Sequence, residues 1–419
     1  MIPASHWASP WVAIALLATP LPAFAITDAE FQALKEQLDA LTATVEALQK
    51  ELATERARSG SAEPVQPAVA ATPEPEPESW ADTLRLTGDL RLRYENIDQE
   101  NRADERNRMR IRARAAVIAR PQDGLEVGFG LATAQDADPV SSNQTIGSGG
   151  SRKDIYLDLA YFNWQATEGL NIVGGKFKNT LARPGKHGLI WDGDLNPEGF
   201  GLTYANGPFF ANLLGTWVES DSNGTEAFGF GGQIGTSLAL GDAAKLTAGA
   251  GYFGVNSAGK GAFFVVPGQS PRFFGNTVDD DGLYVNDYDM VELFAELGFK
   301  VLGQPASVFA DFVTNSDADE FDSGWAAGAS IGAAKAQGSW EASYTYQDLE
   351  RDAVFGLWTD SDFGGGGTDN SGHVLRGAYA LSDKTNVAFS YFFNEFGEDA
   401  NDGIAVDYDR LQLDLNFKY

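Results

Sequence analysis

From Arg108 to Arg114, within NRMRIRARAAVIAR (107–120), every second residue is an arginine, and Met109, Ile111, Ala113, Ala115, Val117 and Ala119 fill the other register. A row of guanidinium groups attracts anions, pairs with carboxylates or orders water, and it acts as a row only if every group faces one way. A helix would scatter these arginines around its cylinder, whereas a strand puts them all on one side. The preceding segment repeats the period of two. Arg85, Asp89, Arg91, Arg93 and Glu95 share one face, and Leu84, Leu86, Leu90, Leu92 and Tyr94 share the other.

Arginines two apart on a strand lie about 7 Å from each other, and each neighbouring pair repels by roughly 0.6 kcal/mol in water. The charged face therefore needs water or carboxylates. In mid-bilayer each arginine would cost roughly 2–4 kcal/mol, so that face does not meet lipid. The apolar face needs either a packed core or lipid. Two strands alone are consistent with a solvent-facing sandwich and with a barrel around a wet interior.

The elements that must position these strands follow along the chain. Residues 1–25 carry the apolar run Val12 to Leu17 and end in Ala23-Phe24-Ala25, the small-x-small pattern of a signal peptide, although no Lys or Arg precedes the run. Thr27-Asp28-Ala29-Glu30 is a capping box that opens a helix. Phe31, Leu34, Leu38, Leu41, Val45, Leu48 and Leu52 then alternate spacings of three and four, the seam of a coiled coil over 26–56 that must oligomerise to bury itself. Residues 57–80 hold Pro64, Pro67, Pro73, Pro75 and Pro77 among Ala, Glu and Ser and read as an extended linker.

Over 81–419 the period is two throughout. Alternating segments fall at 84–94, 108–120, 124–133, 154–164, 169–177, 199–206, 208–218, 227–238, 244–254, 288–302, 305–315, 323–332, 338–349, 372–381, 385–394 and 405–419. These are about sixteen strands of bilayer-crossing length. Short turns such as Gly303-Gln304 alternate with long loops such as 134–153, 254–287 and 350–371. The expected fold is an all-β transmembrane barrel of antiparallel strands preceded by a short α-helical coiled coil.

The last ten residues, Arg410 to Tyr419, alternate without a fault and end on an aromatic residue. Here the chain resembles bacterial outer-membrane porins. GDLRLRYE followed by NRMRIRARA, the capped coil with its Pro-rich linker, and WDGDLNPEG (191–199) are similar to the "putative porin" family of Gram-negative bacteria. That resemblance implies a sixteen-stranded, trimeric barrel in the outer membrane, a periplasmic coiled coil, and a third external loop folded inward, here Lys178 to Glu198.

Composition is consistent with this. Thirty Lys and Arg stand against 59 Asp and Glu, a net charge of −29 that disfavours nucleic acid as a partner. The histidines are His6, His187 and His373 and there is no cysteine, so a catalytic constellation has little to stand on; neither an enzyme nor a cofactor is expected. Gly249-x-Gly251-x-x-Gly254 imitates a dinucleotide fingerprint, but no helix follows it. The acidic clusters Asp279 to Asp281, Asp287, Asp289, and Asp317, Asp319, Glu320 and Asp322 lack the calcium-loop spacing and read as surface acidity.

The expected function is passive diffusion of small hydrophilic, anionic solutes. Arg85, Arg91, Arg93, Arg108, Arg110, Arg112 and Arg114 would line the pore, and Asp192, Asp194 and Glu198 would form an opposing acidic face on the inward loop. Alternatives are a channel specific for organic acids and a non-conducting barrel that anchors the envelope. Expected partners are outer-membrane lipid and lipopolysaccharide, two further copies of the chain, small solutes and peptidoglycan.

Overall fold

A computed structural model describes Lys50 and residues 83–220 and 226–419. The expected signal segment, coiled coil and linker lie outside the described residues, Lys50 aside. The remainder forms a closed antiparallel barrel. Its strands are β1 (Leu84–Gln99), β2 (Arg106–Gln122), β3 (Leu125–Thr133), the two-residue β4 (Gln144–Thr145), β5 (Ile155–Thr167), β6 (Leu170–Lys176), β7 (Glu198–Asn206), β8 (Phe209–Glu219), β9 (Ala227–Leu240), β10 (Ala244–Val255), β11 (Tyr288–Val301), β12 (Gln304–Asn315), β13 (Ser323–Gly332), β14 (Trp340–Leu349), β15 (Asn370–Ser382), β16 (Thr385–Phe396) and β17 (Val406–Lys418). Each long strand pairs with its sequence neighbours, and β1 closes the ring by pairing with β17 as well as with β2.

Every expected strand is present, with edges that differ for a physical reason. β1 continues past Tyr94 to Gln99 because its hydrogen bonding to β17 persists where apolar alternation has stopped, through Asn96↔Leu411 and Asp98↔Asp409. The alternation marked the lipid-facing band, whereas the ladder extends beyond it. β4 has no apolar pattern of its own. It covers Arg110 and Ile111 of β2 above the end of β3.

Outward residues such as Phe129, Leu213 and Ile234 are exposed, with Ile234 at 69%. They form the apolar coat that closure of the ring leaves for lipid. At one end the turns are tight: Leu302 and Gly303 both take positive φ, 51° and 80°, the backbone of a type I′ hairpin turn. The closing seam is equally specific. Tyr419 exchanges backbone hydrogen bonds with Gly88 at 3.1 and 3.2 Å. Its ring lies over Gly88 where a Cβ would stand.

The hydrophobic core sits inside the ring. Phe177, Leu181, Leu189, Ile190, Trp191 and Leu195 of the segment after β6 pack with Tyr284 and with Val354, Phe355, Leu357 and Trp358, against inward residues Phe253, Met290 and Val313. Burial of each such side chain contributes about 1.5–3 kcal/mol. Trp191 stacks on Trp358 with ring centres 4.4 Å apart. Gly229 on β9 makes room, since a Cβ there would lie 2.5 Å from the Trp358 ring. The inward role expected of 178–198 alone is thus shared with residues 256–287 and 350–369. Their glycine- and aspartate-rich composition hid the aromatic residues, Phe263, Phe274, Tyr284, Phe355 and Trp358, that draw them into the barrel.

Candidate functional site: an arginine wall met by two inward loops

The register of β1 and β2 puts like charges directly opposite each other, Arg91↔Arg112 and Arg93↔Arg110, with Asp89↔Arg114 on one side and Glu95↔Arg108 on the other. Two unit charges about 5 Å apart repel by roughly 3 kcal/mol at an effective dielectric constant of 20. Such a block is stable only with carboxylates brought to it.

They come from three directions. Within the two strands, Asp89 accepts from Arg112 at 2.9 Å and Arg114 at 2.8 Å, and Glu95, fully buried, pairs with Arg108 and Arg410 and lies 3.7 Å from Arg110. From β17, Asp414 takes Arg93 in a two-pronged pair at 2.7 and 2.8 Å. From the loops come Asp194, 3.1 Å from Arg114 and 3.9 Å from Arg112, and Asp362, 3.1 Å from Arg93 and 2.6 Å from Arg410.

Burial pushes the Asp194 carboxyl up, but Arg112, Arg114 and the Ser142 hydroxyl, which donates at 2.7 Å, outweigh it and hold the group below the ordinary carboxylate range. Arg410 and Arg93 do the same, against burial, for Asp362. Both loop acids therefore stay ionised and tie their loops to the wall.

The segment 177–197 reaches its far anchor on the opposite side of its course. Gln233 of β9 holds both the amide and the carbonyl of Ala182, at 2.7 and 3.0 Å, and Glu296 of β11 accepts the Gly185 amide at 3.0 Å. His187 stacks on Phe309 of β12, with Nε2 3.0 Å from Asp311 and Nδ1 accepting the Leu189 amide at 3.1 Å. Burial, with the nearby Arg183, lowers the His187 pKa to about 3, so its ring is neutral.

Asp192, Asp194 and Glu198 do not form one face. Asp194 joins the arginines directly. Asp192 is buried and accepts the amides of Asp194 and Ser361 at 2.6 and 3.0 Å, joining the two inward loops. Its carboxyl is pushed well up by burial and by Asp360 and Asp194. Glu198 is exposed and pairs with Lys176 at 2.7 Å. Of the arginines, Arg85 is exposed near the turn end of β1 and joins none of these ion pairs, while the other six lie within the network.

Sequence reasoning missed Arg410, Asp362 and Asp414. A usable signal existed for two of them: Arg410, Gln412 and Asp414 alternate on the last strand, and ring closure sets that strand beside β1, with Arg93↔Asp414. Beneath the wall lies a cavity of about 540 Å³ whose lining includes Asp89, Arg112, Arg114, Asp158, Lys178 and Lys418. Among the described residues no group of His, Asp and Glu is placed to hold a metal ion. The loop acids serve the backbone instead: Asp279 accepts the Asp281 and Leu283 amides, and Asp287 those of Ser257 and Ala258.

Over residues 96–260 and 287–419 the chain matches the family described as "Putative porin". The chain belongs to that family. No curated protein sequence matches it. Among solved structures, Pseudomonas putida OprB at high pH is similar over 81% of this chain and 95% of its own, at 10% identity and a TM-score of 0.56. A double mutant of the Rh. blastica porin aligns over 80% of this chain and all of its own, at 11% identity and a TM-score of 0.48. The porin family and the closed barrel indicate a channel.

Proposed function

We propose that the protein is an outer-membrane porin for passive diffusion of small hydrophilic solutes, with a preference for anions. The observation that carries the preference is the imbalance at the wall. Seven guanidinium groups, those of Arg91, Arg93, Arg108, Arg110, Arg112, Arg114 and Arg410, share five carboxylates, those of Asp89, Glu95, Asp194, Asp362 and Asp414. Much of the acid that makes the chain −29 overall sits in loops and rims, where a Debye length of about 8 Å screens it from the lumen. A basic wall in a low-dielectric frame raises the local concentration of anions and sets the sign of selectivity.

The aromatic core that the loops form inside the ring favours a narrow channel. That supports the organic-acid-specific form of this reading over a wide, unselective pore. Assembly as a homotrimer, with a periplasmic coiled coil from 26–56, belongs to the same proposal and follows from the family resemblance and the leucine seam.

The test is reversal potential across a planar bilayer in a salt gradient. Wild type should prefer anions. Arg110→Ser with Arg112→Ser should reduce or reverse that preference while the barrel still folds, because Glu95 retains Arg108 and Arg410 and Asp89 and Asp194 retain Arg114. A cation preference in wild type that the double substitution leaves unchanged would show that these side chains are neutralised or lie off the solute path.

A further inference from the structure

Two sides of the interior are filled. Towards β1, β2 and β17, Asp194 and Asp362 tie the inward loops to the arginines, and towards β10, β11 and β12 the aromatic core packs on Phe253, Met290 and Val313. Open space lies along β3, β5 and β6. The 540 Å³ cavity is at the end with the tight turns, bounded by Thr87 of β1, Ala388 of β16 and Asn416 of β17. A second cavity, of about 360 Å³, is nearer the long loops, between Ala132 and Thr133 at the end of β3 and Asp194, Asn196 and Glu198.

Asp158 of β5 lines both cavities. It is the extra residue of a β-bulge, between the pairs Gly130↔Leu159 and Leu131↔Leu157, and bulges re-aim side chains. Lys178, at the start of the inward segment, lines the turn-end cavity 4.0 Å from Asp158, with its side chain 54% exposed. So loose and wet a pair leaves the ammonium free to act on a passing charge. Neither cavity is lined by Arg91, Arg93, Arg108 or Arg110, the middle of the wall.

We propose that solute passes beside the arginine wall and not across it, moving between the two cavities at Asp158, and that Lys178 is a specificity-determining residue at that crossing. The order of charges along this route explains its role. In the loop-end cavity Lys176 stands among Asp138, Asp158, Asp194 and Glu198, whereas Arg112, Arg114, Lys178 and Lys418 bring cationic groups to the turn-end cavity. The sign of selectivity is set where the lining turns basic, and Lys178 stands at that boundary. Arg112, whose removal with Arg110 should reduce anion preference, lines this route and Arg110 does not. The route rests on the reading of the protein as an open channel, but its position does not depend on which ion the channel prefers.

The chain holds no cysteine, so a single cysteine introduced into the full-length protein reports its own surroundings. Lys178→Cys and Ala388→Cys lie on the route and Arg91→Cys lies off it. Each would be treated in planar bilayers with a charged methanethiosulfonate, from which the thiolate displaces sulfinate to leave a mixed disulfide. Ala388 takes part in no ion pair, so its variant serves even if loss of Lys178 disturbs folding.

A sulfonate-bearing reagent should lower the conductance of both route variants and shift the reversal potential of Lys178→Cys towards cations. An ammonium-bearing reagent should move that potential back towards the wild-type value, which a purely structural role for Lys178 would not do. Arg91→Cys should respond far more slowly to either reagent. Route variants that fail to label, or that label without any change in conductance, would overturn the route, as would Arg91→Cys responding as fast as Lys178→Cys. A cation-preferring wild type in which Lys178→Cys still follows the sign of the attached charge would overturn the anion reading and leave the route standing.

Discussion

Glu95 shows how much of the wall depends on one side chain. It is fully buried and meets Arg108, Arg110 and Arg410, so a neutral amide in its place leaves three largely buried guanidinium groups short of charge. Breaking a buried pair from one side costs about 3–5 kcal/mol. Glu95→Gln should therefore lower the temperature at which the folded barrel loses its compact gel mobility, with a much smaller change for Arg85→Gln, which removes an exposed side chain outside the network. An unchanged mobility transition in Glu95→Gln would mean that water shields the three arginines. Arg112 and Arg114 depend less on any one partner, since each meets both Asp89 and Asp194.

At the scale of the element, the inward segment 177–197 is fastened at points with opposite responses to acid. His187 ionises ordinarily near 6.5 and near 3 when docked, through burial and Arg183, with Asp360, Arg376, Glu296 and Asp311 also around it. A depressed histidine contributes its full docking stability above the ordinary value. That stability is lost as pH falls from about 6.5 towards 3, because only the undocked ring takes the proton.

Asp192 has the reverse sign: its ionised form is penalised by burial, Asp360 and Asp194, so the docked state gains stability as pH falls through its raised value. Amide hydrogen exchange separates the two, once corrected for the intrinsic pH dependence. Protection of the Leu189 amide, held by His187, should fall on acidification from pH 7 to pH 4, whereas that of Ser361, held by Asp192, should hold or rise. His187→Gln should flatten the first response and leave the second. Parallel loss of both amides would indicate that the loops open as one unit.

For the molecule as a whole, closure of the ring decides what its parts can do alone. The barrel buries its loops within itself, and β1 needs β17, so 84–419 should fold without what precedes it. Deletion of residues 27–79 should leave a strand-rich species that shifts on boiling in detergent, while its oligomers dissociate more readily. A deletion protein with no heat-dependent shift would place the folding boundary before Leu84. The same closure explains why the carboxyl-terminal tyrosine is part of the wall: Tyr419 donates to the Arg114 carbonyl at 3.0 Å, seated on Gly88.

The sequence by itself determined the sixteen long strands and their faces, because period-two alternation is local and each of them carries it over its apolar band. It also placed Arg91, Arg93, Arg108, Arg110, Arg112 and Arg114 on one surface, and the family resemblance, not the pattern, implied that 178–198 leaves the wall. Only the tertiary structure decided which charges meet. Asp362 lies 269 residues from Arg93 and Asp414 lies 321 away, and no local pattern carries such a distance. Asp194 was expected to face the arginines across an opening and instead pairs with them. The loop that bears it is anchored on β9, β11 and β12 and returns to β2, a path set by packing of Leu189, Trp191 and Trp358 together with these distant polar contacts. The loops at 256–287 and 350–369 read only as long connections, because they carry no alternating pattern. Their few aromatic residues act only once the ring brings them together, and burial inside a closed wall is a property that a strand pattern does not contain.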